Sequence, residues 1–151
     1  MKGRSAGRVI VTALVVAVVV NLAIFFLGAL AGGTYTFTSP AGPATVDAAV
    51  VALFTLVPLG LGLTAVAVVR RWWPSVVTVA LIVAPVLEIG TIIGMTLPAD
   101  FDEPSTIALA LCHLALVPVT VLALRALRTL PDGGGHRGQR RRPAEAGAAD
   151  R

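Results

Sequence analysis

Apolar residues run through this chain in four long blocks parted by short polar stretches: about Val9 to Leu30, Val46 to Val69, Pro74 to Leu97 and Ser105 to Leu127. A helix rises about 1.5 Å per residue and the hydrocarbon core of a bilayer is about 30 Å thick, so roughly 20 mainly apolar residues suffice to cross it. Each block reaches that length. The pattern predicts an all-α membrane protein, a bundle of four transmembrane helices within residues 9–128. Thr45, Pro74 and Ser105 are ordinary helix-start residues and mark the expected N-terminal ends of the second, third and fourth spans.

Charges between the blocks predict the orientation, because Lys and Arg of short loops stay on the cytoplasmic side. Lys2, Arg4 and Arg8 precede the first span, Arg70 and Arg71 fill the second loop, and Arg125, Arg128, Arg137, Arg140, Arg141 and Arg142 lie at or beyond the end of the fourth. The first and third loops hold no basic residue. Both termini are therefore expected inside, with residues 1–8 as a short cytoplasmic segment. The outward side then holds a threonine-rich, uncharged loop from Ala31 to Thr45 and a solvated acidic loop with Asp100, Asp102 and Glu103. Trp72 and Trp73 suit the aromatic belt at the inner interface. Together with Arg70, Arg71, Arg140, Arg141 and Arg142 they are the expected contacts to anionic lipid headgroups. Asp47 is expected in the first turn of the second helix, where the positive end of the helix dipole favours a carboxylate.

A basic start, an apolar run and Ala29-Leu30-Ala31 also resemble a secretory signal with its cleavage site. The run of about 22 residues exceeds the roughly 7–15 of a signal core, so the first helix is expected to be retained. From about Thr129 to Arg151 the chain turns glycine- and arginine-rich, with too little apolar surface to fold, and is expected to be a disordered basic tail on the cytoplasmic side.

Composition agrees with lipid as the solvent: 56% hydrophobic residues, 13% charged, and a mean hydropathy of +0.88 lie far from soluble globular values. A net charge of +4 and a pI near 10.6 would ordinarily suggest nucleic acid. Here the basic residues flank the spans and lack interleaved aromatics, so no nucleic-acid partner is expected. The single cysteine, Cys112, sits in an apolar block and cannot form an internal disulfide.

Polar groups inside a span are costly and tend to face a bundle interior. Asn21, Glu88 and His113 lie roughly 18, 21 and 21 Å from the inner boundary on their respective helices, at one level. On a helical wheel Thr106, Ala110, His113 and Thr120 share a stripe about 80° wide, and Glu88 shares its face with Pro85, Thr91 and Met95. A polar interior of Asn21, Glu88, Thr91, Thr106 and His113 is expected. Two readings of it stay open. Glu88 hydrogen-bonded to His113 or Asn21 would serve as interhelical glue, whereas Glu88 and His113 exchanging a proton would couple it to movement of a small solute or lipid.

Pro58, Pro85 and Pro118 lie within spans and predict kinks. Gly90 and Gly94 form a GxxxG pattern roughly 200–240° around the wheel from Glu88, which suits a homodimer seam or a partner membrane protein. There is no HExxH, Gly-rich phosphate loop, CxxC or activated nucleophile, so neither enzyme activity nor a metal or cofactor is expected.

Asn21-Leu22, the loop Gly33-Thr-Tyr-Thr-Phe-Thr-Ser-Pro-Ala-Gly42, Leu56-Val57-Pro58-Leu59 and His113-Leu114, in that order, resemble the actinobacterial integral membrane family known as domain of unknown function 6069. The resemblance spans about residues 8–128 and implies a four-helix plasma-membrane protein without an established activity. A proton-coupled carrier and an accessory or scaffold subunit are the two functional classes left open.

Overall fold

The computed structural model describes residues 5–130. The charges at Lys2, Arg4, Arg137, Arg140, Arg141 and Arg142, and nearly all of the expected tail, lie outside the described residues. Four helices, α1 (Ala6–Leu30), α2 (Ala48–Val69), α3 (Val76–Thr91) and α4 (Glu103–Arg128), account for the four apolar blocks, and α3 runs on through a π-helical turn, Ile92–Thr96. Each is long and apolar enough to cross a membrane, α3 being counted with its π-turn. Leu30, Phe54, Leu61, Ile82, Val86 and Ile93 are among many large apolar side chains left exposed. An apolar surface of this extent is at home against hydrocarbon and not against water.

The helix starts lie a few residues from the expected ones because short carboxylates and one serine compete for the caps. Ser5 caps α1 by accepting the Arg8 N–H at 3.4 Å. Asp47 caps α2, accepting the Val50 N–H at 2.8 Å, and Thr45 ends a strand instead. Asp102 caps α4, accepting the Ser105 N–H at 2.9 Å, and the Ser105 hydroxyl is turned to the N–H of Tyr35. Ser75, not Pro74, precedes α3. Thr45 pairs across the hairpin with Thr36 and Ser105 accepts the Tyr35 N–H, so each is engaged elsewhere than at the cap that local preference favoured.

The threonine-rich stretch is not an open loop. Helix α1 ends in a Schellman motif, the N–H of Gly33 bonding Gly28 O and that of Gly32 bonding Ala29 O, with Gly32 at φ +98°. An antiparallel hairpin follows, β1 (Thr36–Ser39) and β2 (Gly42–Thr45), with Thr36 opposite Thr45. Two aspartates expected to be merely solvated hold it down. Asp102 Oδ2 accepts the Thr34 N–H at 2.9 Å and hydroxyl at 2.6 Å, and Asp100 accepts the Thr38 N–H and hydroxyl, each at 2.7 Å. Between these clamps Tyr35 turns inward at φ +56°, stacks on Phe25 at 4.3 Å and donates its hydroxyl to Phe25 O at 2.7 Å.

Packing is uneven. Helix α1 lies along both α4 and α2, and α3 lies along α4, whereas α2 and α3 barely meet beyond the turn that joins them. Ala13 and Ala17 on α1 pack with Leu59 and Leu63 on α2 and with Ala123, Leu124 and Leu127 on α4. Near the hairpin, Phe25, Tyr35, Val51 and Ala108 form a second cluster. Gly28 stands where α1, α4 and Tyr35 converge, and a Cβ there would overlap the Tyr35 hydroxyl and the Ala108 methyl. By contrast α3 buries only Val77.

Two outcomes follow from this packing. Gly28→Ala is expected to destabilise the protein by about 1–3 kcal/mol through overpacking, whereas Gly90→Ala, with open space around its new methyl, stays within about 0.5 kcal/mol of the parent; thermal unfolding in detergent checks both. The donors on Asp100, the Thr38 amide foremost, and those on Asp102, the Thr34 hydroxyl foremost, hold both carboxyls below the usual aspartate value of 3.8. A depressed carboxyl contributes stability that is complete above its unfolded pKa and is lost as pH falls through its folded one. Protection of the Thr34 and Thr38 amides from exchange should therefore persist down to about pH 4 and be lost only in stronger acid, and Asp102→Ala should remove it at Thr34, whose amide Asp102 accepts, before Thr38, whose amide Asp100 accepts.

Candidate functional site

Successive residues on a helix point about 100° apart, and α4 uses this at Cys112 and His113. Cys112 faces α1, its thiol donating to Asn21 O at 3.5 Å. His113 faces α3, where its Nδ1 lies 3.1 Å from the Thr91 hydroxyl. The polar residues expected to meet at one point are thereby divided between two sides of α4.

On the α1 side Asn21 is 3% exposed. Its amide nitrogen donates to the Thr55 hydroxyl at 2.9 Å, and that hydroxyl donates to Val51 O at 2.8 Å. The amide oxygen is buried without a hydrogen-bond partner among the described residues. On the α3 side the Thr120 hydroxyl donates to Glu88 Oε1 at 2.5 Å, and Glu88 Oε2 is buried without a hydrogen-bond partner among the described residues. The Thr91 hydroxyl donates its one proton to Glu88 O at 2.7 Å. It can only accept from His113, which assigns the imidazole proton to Nδ1 and leaves Nε2 as the acceptor.

Threonines thus replace the direct bonds expected between Glu88 and His113 or Asn21. Thr106 takes no part in the cluster: its hydroxyl reaches back to Phe101 O at 3.5 Å, at the start of α4. Thr55 and Thr120 are the site residues that the sequence reading left out. Thr120 lies two turns from His113 on one face of α4, and that spacing was the available signal. For Thr55 no periodic signal exists, because only the packing of α2 on α1 brings it opposite Asn21.

Both polar groups border one space. Where α2 and α3 diverge, a cleft of about 350 Å³ opens between α2, α3 and α4, lined by Phe54, Pro58, Leu87 and Leu116 and by the polar side chains Thr55, Glu88, Thr91, His113 and Thr120. Pro58 and Gly62 lie on the α2 wall, where a missing side chain and a fixed ring leave room. The π-turn begins directly after Thr91, and such turns recur at working sites because they re-aim the residues beside them. The cleft is mostly apolar, with Thr55 on the α2 wall and its other hydrogen-bonding side chains on the α3 and α4 walls. Among the described residues no three of His, Cys, Asp and Glu converge on a point that would hold a metal.

The remaining expected sites are dispersed. Gly90 and Gly94 are exposed, with no atom of another described element within 4 Å of a notional Cβ, and Gly94 falls inside the π-turn. Arg71 is also exposed, as are Trp72 and Trp73. Arg70 turns inward: its guanidinium donates to the carbonyls of Leu127 and Leu130, closing the C-terminal end of α4. Carbonyls at the end of a helix lack the full set of intrahelical donors, and the guanidinium supplies further ones there.

Residues 2–129 match the sequence profile of a family of unknown function (DUF6069), in agreement with the resemblance read from the short motifs. No curated protein and no solved structure matches the chain.

The polar geometry has a direct consequence for stability. Thr55→Val is expected to cost about 0.6–1.7 kcal/mol, the range of an interhelical hydrogen bond in lipid, while Thr106→Val changes stability by less than about 0.5 kcal/mol. Equal losses in unfolding from mixed micelles would contradict the placement of Thr106 outside the site.

Proposed function

The chain belongs to the DUF6069 family, and from that premise and the cleft we propose that it is a non-enzymatic carrier that exchanges a proton for a lipophilic cation. Its place in this reading is the plasma membrane, with both termini in the cytoplasm. The observation that supports it is Glu88: a carboxyl bordering an apolar cleft, with one oxygen held by Thr120 and the other without a hydrogen-bond partner among the described residues. An intramembrane carboxylate is costly without a counter-charge. Glu88 therefore holds a proton while the cleft is empty and gives it up when a cation with apolar substituents enters from the bilayer. His113 Nε2, the acceptor of that ring, takes the proton toward water, and Thr91 fixes the tautomer that lets it do so. One cation bound releases one proton, so charge balances.

A second reading, an accessory or scaffold subunit, is favoured by the open face around Gly90 and Gly94. The π-turn through Gly94 disturbs the regular helix ridge that a GxxxG crossing uses, and the carrier reading is preferred.

Tetraphenylphosphonium serves as the probe. Added to the purified protein in weakly buffered detergent, it is expected to release about one proton per chain bound; a proton-loaded proteoliposome is expected to exchange its protons for it. Glu88→Gln should abolish both signals with folding intact, and Glu88→Asp should restore binding in part. Binding without proton release, or full exchange by Glu88→Gln, would overturn the reading.

A further inference from the structure

A second groove, also of about 350 Å³, runs between α1 and α4 at the end of the bundle where α1 begins and α4 finishes, lined by Arg8, Thr12 and Val16 from α1 and by Val119, Leu122 and Ala126 from α4, among others. It shares no residue with the cleft at Glu88. We propose that this groove binds one acyl chain of an anionic phospholipid, with the lipid phosphate held by Arg8. From Arg8 to Val16 the groove follows the helix for about 12 Å, pointing from the membrane surface into the hydrocarbon. Apart from Arg8 and Thr12 its lining is apolar, and Ala13, Ala123 and Ala126 keep it hollow.

Charge selects the occupant. Arg8 is exposed in the first turn of α1, where the helix dipole also favours an anion. Arg71, Arg125 and Arg128 stand at the same end, and Arg70 is engaged with the α4 carbonyls. Among the described residues every carboxylate lies elsewhere: Asp47, Asp100, Asp102 and Glu103 at the hairpin end, and Glu88 within α3. A second copy in the same orientation would bring arginine against arginine. A helix about 10–12 Å across is also too wide for a groove of this volume, whereas an acyl chain is not.

Native mass spectrometry of the full chain titrated with phosphatidylglycerol and with phosphatidylcholine of the same acyl composition tests this. The parent is expected to bind the anionic lipid about fivefold more tightly, the worth of one arginine near a charged headgroup. Arg8→Gln should erase that preference and Arg71→Gln should keep it. Ala126→Leu, which fills the groove, should weaken both lipids. No preference in the parent, an equal loss with Arg71→Gln, unchanged binding by a folded Ala126→Leu, or a lipid-free dimer cross-linked through Leu122 would each overturn the proposal. Because Arg8 is exposed, its variant tests the idea even where Ala126→Leu does not fold. Proton release at Glu88 is untouched by any of these variants, so the two proposals fail independently.

Discussion

Helices in lipid gain no hydrophobic energy by leaving the bilayer for one another, so their association rests on close packing and on the few hydrogen bonds that cross between them. In this bundle that constraint is met chiefly between α1 and α4. Ala13, Ala17 and Gly28 on one helix and Ala108 and Ala123 on the other remove the side-chain bulk that would hold the backbones apart. Helix α2 completes its packing on α1, and α3 completes its packing on α4. The order in space is therefore α2, α1, α4, α3, and α2 and α3, adjacent in sequence through a short turn, are the two that part.

That parting produces the site. A four-helix ring closed on all sides would bury Glu88 and His113 in a dry interior, where threonine partners would be sufficient to explain them. With α2 and α3 separated, the same threonines hold the carboxyl and the imidazole at the wall of a cleft. Asn21 and Thr55 fix the opposite boundary by tying α2 to α1. The polar side chains thus act less as a single cluster than as two braces with a space between them.

The two ends of the bundle are secured by different chemistry. At the hairpin end Asp100 and Asp102 bind backbone and hydroxyl groups of Thr34 and Thr38, and Asp102 also caps α4, so one short acidic turn fastens the hairpin and starts a helix. At the other end Arg70 reaches from the α2–α3 turn to the last carbonyls of α4. Each fastening ties a connecting segment to an end of α4 or to the turn before it.

Much of the fold was legible in the order of residues alone. Four spans follow from block length and bilayer thickness, and α-helix follows because only internal hydrogen bonding is tolerated in lipid. The inward faces of Glu88, Thr91 and His113 follow from helical periodicity, and family membership is carried by short motifs that need no coordinates. Which partner each polar group takes does not follow. Asp102, Ser105 and Arg70 each find theirs on segments distant in the chain, and Thr55 becomes a site residue only through the packing of α2. A wheel places a residue on a face but not at a distance. Distance is set by how closely two backbones approach, and here that depends on alanines and a glycine on different helices meeting across space. Local pattern thus decided the elements and their faces; tertiary contact alone decided the hairpin's anchorage, the threonine partners and the gap between α2 and α3.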